Sequence, residues 1–93
     1  MSEFKFTIPE TFAIDEAADF REKTNQMVKD GTHHYILDFK KCGFIDSTGL
    51  GVLVALYKKC MEKNGSIKLI SMNDQVKRVF ELTRLESIFN IEK

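Results

Sequence analysis

The chain has few of the residues that usually build metal sites or disulfide frameworks. It contains no tryptophan, a single proline, two cysteines (Cys42 and Cys60) and two adjacent histidines (His33 and His34). Two cysteines do not make a disulfide scaffold, and we interpret both as small buried apolar residues. Two neighbouring histidines are not a zinc constellation, so packing or surface positions are expected for them. We therefore expect no metal and no cofactor.

The chain also lacks net charge and long apolar runs. Lysine plus arginine and aspartate plus glutamate both number 14, so no basic surface for direct nucleic-acid binding is expected. No run approaches the roughly 18 apolar residues of a membrane span, and the N-terminal MSEFKFTIPE lacks a secretion signal pattern. These absences favour a cytoplasmic protein. The length of 93 residues predicts one domain over residues 1–93.

Hydrophobic periodicity predicts alternating strands and helices. Phe4, Phe6 and Ile8 alternate with polar residues, as in a half-buried strand. Spacings of three and four residues indicate three helices, whose apolar stripes include Ile14, Met61 and Leu82, respectively. The elements expected after the first strand are, in order, a helix from 14, a strand over 34–39, a helix from 50, a strand over 67–70, a helix over 76–82 and a strand over 88–91.

This alternation predicts an α/β fold. Strands separated by helices favour parallel neighbours joined by right-handed crossovers. We expect a small, mostly parallel or mixed sheet of four to five strands with the helices mainly on one face. Phe44 and Ile45 are too few for a full strand and are interpreted as a lead into the segment that follows.

That segment, FIDSTGLGVL over 44–53, joins a strand to a helix. Ser47 or Thr48 is expected to cap the helix, and Gly49 to permit a close approach or an unusual backbone angle. A functional alternative is a phosphate on Ser47, because a helix N-terminus stabilises an anion. The segment is neither a P-loop nor a GxGxxG or GxSxG motif, and no oxyanion hole can be placed, so we expect no enzyme.

The motif over 46–51, DSTGLG, resembles the signature of STAS domains, in particular the bacterial anti-sigma factor antagonists. The later VKRVFELT over 76–83 is similar to a second stretch of that family, and the resemblance extends from about His34 to the C-terminus. It implies a STAS-like fold and regulation of transcription by partner switching. The unphosphorylated protein then binds an anti-sigma factor serine kinase and releases the sigma factor. The kinase phosphorylates the serine after the motif aspartate, which is Ser47, and a PP2C-type phosphatase restores the binding form.

We expect partner contacts around the motif and in the first turns of its helix. A buried packing role for Leu50 is at least as compatible with the sequence as a contact role. Two alternatives remain: a STAS subunit of a transporter or stress-signalling complex, and a small-molecule or nucleotide binder. The expected contact residues are Asp46, Ser47, Thr48, Gly49, Leu50, Gly51 and Val52.

The chain departs from the family pattern at both ends. The segment 9–13 occupies the place of a glycine-acidic-Leu-Asp segment, and Ala13 replaces its aspartate. That acidic position is near the phosphorylation site in the family, so this difference affects the expected kinase contacts. A last family helix is expected to be missing or reduced, because the chain stops two residues after Ile91.

Overall fold

A computed structural model describes residues 3–92 of the chain. The strands and helices alternate much as the apolar periodicity predicts, and the four longer strands and all three helices are found. In chain order the elements are β1 (Phe4–Thr7), β2 (Thr11–Phe12), α1 (Ile14–Lys29), β3 (His34–Asp38), β4 (Phe44–Ile45), α2 (Ser47–Glu62), β5 (Ser66–Ile70), α3 (Asp74–Leu82), a 3₁₀ turn (Leu85–Ser87) and β6 (Asn90–Glu92).

The main sheet has four strands in the order β1-β3-β5-β6, and every neighbouring pair is parallel. Its register aligns Phe6 of β1 with Leu37 of β3, Leu69 of β5 and Ile91 of β6. Leu37 and Leu69 are fully buried in this row. The α/β architecture expected from the sequence is therefore confirmed.

One face of the main sheet carries the hydrophobic core. Tyr35 and Leu37 of β3 are buried, whereas His34 and Ile36, which point to the other face, are half-buried. This alternation follows from the two-residue period of a strand. The core continues through ring contacts of Phe80 with Phe39 and Phe89, and of Phe89 with Tyr57 of α2. The helices thus pack on one face, as expected.

A second, two-stranded sheet was missing from the sequence-based prediction. β2 and β4 pair in parallel, with Thr11 opposite Phe44 and Phe12 opposite Ile45. The interpretation of Phe44 and Ile45 as a simple lead-in was therefore incomplete. Two residues are too few to establish an alternating pattern, so periodicity could not reveal this pair.

Three apolar residues assigned to buried stripes are exposed instead. Ile14 is 66%, Met61 39% and Leu82 71% exposed. Each helical residue turns about 100°, so Cys60 falls in line with buried Leu53 while Met61 lies roughly 80° away. By the same geometry Leu82 lies about 120° from buried Val76. Ile14 is the first residue of α1 and precedes the turns that face the core.

The two cysteines are buried and the two histidines are half-buried. Cys42 and Cys60 are free and buried, as expected. The ring of His34 lies 2.9 Å from Ser66 Oγ across the β3–β5 pair, and His33 is half-buried. Within residues 3–92, no group of three His, Cys, Asp or Glu side chains is arranged to hold a metal ion. No helix in the same range has the length and apolar character to cross a membrane.

Candidate functional site at the start of helix α2

Two helices begin side by side because the two short strands that precede them are paired. One residue, Ala13, separates β2 from α1, and one residue, Asp46, separates β4 from α2. The N–H of Asp46 donates to the carbonyl oxygen of Phe12 at 3.4 Å, which extends the β2–β4 pairing to the helix starts. The motif segment therefore lies next to the first turn of α1.

Asp46 caps α2. Its backbone is extended, and its Oδ1 accepts a hydrogen bond from the N–H of Gly49 at 2.9 Å. Its carbonyl oxygen accepts the first helical bond, from the N–H of Leu50 at 3.0 Å. The expectation that Ser47 or Thr48 provides the cap was wrong. A capping residue must be outside the helical backbone conformation, and Ser47 is already the first helical residue.

The two hydroxyl residues of the motif are consequently exposed. Ser47 and Thr48 both lie on the surface of the first turn of α2. Neither hydroxyl makes a hydrogen bond to another residue in the described range 3–92. The backbone N–H groups in this turn lack helical acceptors by geometry, and only that of Gly49 is bonded by the cap. The site combines free hydroxyls with the positive end of a helix.

The two motif glycines differ in what surrounds them. A Cβ atom on Gly49 would lie 2.4 Å from the carbonyl oxygen of Phe12 and 2.8 Å from its ring. The close approach expected at Gly49 is therefore confirmed, and it brings α2 against β2. Gly51 is exposed, and a Cβ atom there would meet nothing within 4 Å. Packing within the chain does not explain a glycine at position 51.

The seven expected contact residues divide into two groups. Leu50 and Val52 are buried in the core together with Gly49, so they support the site from within. The remaining four are available at the surface, with Asp46 half-buried. The exposed members are Ser47, Thr48 and Gly51.

Sequence reasoning missed the exposure of two apolar residues, one just before α2 and one at the start of α1. Phe44 is 53% exposed, although it stands in an apolar pair with buried Ile45. Ile14 begins the adjacent helix α1 and is largely exposed. The signal for Phe44 was weak: adjacent residues of a strand point to opposite sides, so only one of the pair can be buried by the same core. Both side chains are therefore accessible at the surface.

A family comparison decides what kind of domain carries this surface. The family model for the STAS domain matches residues 4–93. The chain belongs to the STAS domain family. An anti-sigma-B factor antagonist of Bacillus subtilis is 33% identical over 78 residues, which cover 84% of this chain and 71% of that relative. The family resemblance read from the motif is thereby confirmed.

Solved STAS-type structures share the fold. A crystal structure of a proposed anti-sigma factor antagonist from Thermotoga maritima superimposes with a TM-score of 0.87 at 28% identity, covering 96% of this chain and 79% of that one. The Bacillus anti-sigma factor antagonist SpoIIAA in its unphosphorylated form gives a TM-score of 0.81 at 15% identity, covering 98% and 79%. At the lower identity the likeness concerns the fold alone.

The loop that leads into the STAS motif is held by hydrogen bonds to two other segments of the chain. The N–H groups of Gly43 and Phe44 both donate to the carbonyl oxygen of Glu10, at 2.9 and 3.2 Å. Asn73, which caps α3 through a bond from the N–H of Val76, also donates from Nδ2 to the carbonyl oxygen of Cys42 at 3.2 Å. Burial raises the pKa of the Cys42 thiol, so this side chain is neutral near pH 7. These hydrogen bonds fix the position of the loop that precedes the motif.

Proposed function

We propose that this STAS domain is a cytoplasmic anti-sigma factor antagonist that phosphorylation of Ser47 switches off. The unphosphorylated form binds an anti-sigma factor serine kinase, which then releases its sigma factor. The kinase in turn phosphorylates Ser47, and a PP2C-type phosphatase removes the phosphate. The Bacillus subtilis relative supports the assignment because it is itself named an anti-sigma-B factor antagonist.

One observation supports Ser47 as a residue that can be modified without loss of structure. Asp46 provides the cap of α2, so the hydroxyl of the exposed Ser47 is not needed to begin the helix. A kinase can therefore modify this oxygen without removing a structural hydrogen bond. Thr48 is equally exposed but stands one residue further into the helix, and the family resemblance makes Ser47 the acceptor.

The chemistry is a transfer of one phosphoryl group. Ser47 Oγ forms a bond to the γ-phosphorus of ATP while the bond from that phosphorus to the bridging oxygen of ADP breaks, and the hydroxyl proton passes to a base of the kinase. The product carries about −1.5 to −2 charges on residue 47. The positive end of α2 stabilises this charge, whereas the carboxylate of Asp46 repels it. Hydrolysis by the phosphatase regenerates the hydroxyl and releases inorganic phosphate.

The surroundings of Ser47 support the proposal that a phosphate on this residue weakens binding. Phe44, three residues before Ser47, and Ile14, the first residue of the neighbouring helix α1, are exposed, so we expect a partner that covers Ser47 also to contact apolar surface. A phosphate enclosed in such an interface loses water without gaining a compensating cation from this chain's motif. Desolvation and repulsion by Asp46 then weaken the complex. The exposed Gly51 extends the same surface by one turn and allows a partner to approach the backbone.

The proposal is tested with the candidate kinase, ATP and intact-mass measurement followed by peptide mapping. We expect one phosphate on Ser47 and at least a tenfold loss of affinity for the kinase after modification. Ser47→Ala should bind but resist modification, whereas the matched variant Thr48→Ala should still accept phosphate. Phosphate on Thr48, or an unmodified Ser47 in a pair that binds, would reject the switch.

The contact surface has a separate test. Phe44→Ala removes an exposed ring and should weaken kinase binding several-fold without changing the unfolding transition. Met61→Ala is the matched control, because Met61 is also exposed but lies at the far end of α2. Equal affinities for both variants and the wild type would exclude Phe44 from the interface.

A further inference from the structure

The outer edge of β1 is unpaired within the described chain. β1 is the first strand of the main sheet, and among the strands of residues 3–92 it has β3 as its only neighbour. The N–H of Ile8, just after β1, donates to the carbonyl oxygen of Asp38 in β3. The backbone N–H and C=O groups of successive strand residues point to alternate sides. Those of Phe4 and Phe6 therefore also point toward β3, while those of Lys5 and Thr7 point outward. Such an edge is a template for another strand.

A row of aromatic rings leads from the core to this edge. Phe12 contacts Phe20, Phe20 contacts Phe6, and Phe6 contacts Phe4, with ring centroids 5.3, 5.1 and 4.9 Å apart. Phe12 and Phe20 are buried, whereas Phe4 at the end of the row is 43% exposed. The row is thus continuous with the core and ends on an uncovered ring beside unpaired backbone groups.

We propose that a second copy of this chain pairs with β1 in antiparallel fashion, centred on Phe4. The segment Glu3-Phe4-Lys5 is complementary to itself in this arrangement. Glu3 of each copy stands opposite Lys5 of the partner subunit, and the two Phe4 rings meet across the two-fold axis. Opposite charges and aromatic rings in directly facing positions stabilise a strand pair. Centring on Lys5 instead would set two ammonium groups against each other.

The hydrogen-bond pattern of β1 fits the same register. Glu3 directly precedes β1 and extends the strand by one residue in the proposed pair. Glu3 and Lys5 then direct their backbone groups outward and form the hydrogen-bonded pairs of the new ladder. Phe4 is then a non-hydrogen-bonded pair, in which facing side chains come closer together. Lys5 Nζ lies 3.6 Å from the buried carboxylate of Asp38, so the same lysine also ties β1 to β3.

The proposed pairing is independent of the function of Ser47. Phe4 pairs with Tyr35 near the start of β3, whereas α2 begins beyond the carboxyl ends of the strands. Each copy in a dimer therefore keeps its motif surface open. The contact is short and belongs to the class of small, weak interfaces, so it must be measured at high concentration.

Sedimentation equilibrium of the wild type at up to roughly 1 mM tests the pairing. A weak dimer is populated only when the protein concentration approaches its Kd. We expect reversible association to twice the chain mass of 10.7 kDa. Glu3→Lys places like charges opposite each other twice and should weaken association about tenfold or more. Glu22→Lys on α1 makes the same change in net charge at another exposed position and should have no effect. A wild type that remains monomeric, or an equal effect of both variants, overturns the proposal.

Disulfide trapping tests the register without disturbing the charges. In the proposed pair, Phe4→Cys places two thiols opposite each other at a separation that a disulfide can span. The native cysteines are buried, and burial raises the pKa of Cys60 to about 11. Both thiols are therefore expected to react slowly and to form few disulfides with the introduced cysteine. Mild oxidation should link Phe4→Cys into a covalent dimer much faster than Met61→Cys, whose site is also exposed. Equal rates for the two variants would contradict the register.

Discussion

Helices α1 and α2 begin next to each other but are capped in different ways. At α1 the capping position is Ala13, whose side chain cannot accept a hydrogen bond. Its N–H donates to Glu16 Oε1 at 3.2 Å, and its carbonyl oxygen accepts the first helical bond, from the N–H of Ala17 at 2.7 Å. At α2 the carboxylate of Asp46 accepts from the N–H of Gly49. The helix with the complete cap is the one that carries Ser47. The comparison shows that Asp46 alone supplies the side-chain cap of α2, which leaves the neighbouring Ser47 free for the regulatory role proposed for it.

The largest change should come from Gly49→Ala, which disturbs the contact of α2 with β2. The added methyl group would collide with the carbonyl oxygen of Phe12, a backbone atom that cannot rotate away. We expect destabilisation of about 1–3 kcal/mol, as for other overpacked sites. Urea unfolding followed by circular dichroism measures it. Gly51→Ala is the control and should be neutral or stabilising by up to about 1 kcal/mol, because its site is open.

Asp46→Ala should remove the difference between the two helix starts. Loss of the bond to the N–H of Gly49 is expected to cost about 1 kcal/mol of unfolding free energy. Asp46→Asn keeps an acceptor oxygen and should retain most of that stability. Thermal unfolding of the three proteins separates the hydrogen bond from the charge. If the asparagine variant is as unstable as the alanine variant, the cap does not depend on the hydrogen bond.

Ala13→Ser should make α1 resemble α2. A hydroxyl at this position can accept from the N–H of Glu16, whose side chain already bonds the backbone of Ala13, and this completes a capping box. The expected gain is about 0.5–1 kcal/mol in chemical denaturation. Ala18→Ser, within the same helix, offers no cap and should give no gain. A gain from both variants would show that the cap is not its cause.

The smallest effect on stability is expected for Ser47→Ala. The side chain is exposed and makes no bond to other described residues, so unfolding free energy should change by less than about 0.5 kcal/mol. Scanning calorimetry of the unmodified proteins provides the measurement. A loss larger than that of Asp46→Ala would assign the cap to Ser47 after all.

The sequence contained enough information for the main sheet and its helices. Phe4 and Phe6 alternate over β1, and Leu53 and Leu56 repeat at helical spacing in α2, so period alone identifies both elements. The two-residue strands β2 and β4 have no period and became visible only through their pairing. Their pairing sets the two helix starts side by side, so the neighbourhood of the motif depended on an element that periodicity could not detect.

At the site itself, composition located the helix start but not the residue that caps it. Asp46, Ser47 and Thr48 are all good capping residues, and the choice among them depends on where the backbone first becomes helical. The exposure of Phe44 and Ile14 likewise depends on which side of a short element meets the core. Both features are set by tertiary packing, which local propensity does not report. The role of Ser47 as phosphate acceptor stays a prediction.

The cap on Asp46 has a consequence for how such a regulator can change over generations. Because folding places little demand on position 47, a single nucleotide substitution can exchange its hydroxyl for another small side chain and leave a stable domain. If Ser47 is the phosphate acceptor, as proposed, control by a kinase can be lost or regained in one step. Gly49 has no such freedom, since its backbone contact with Phe12 is required by the fold.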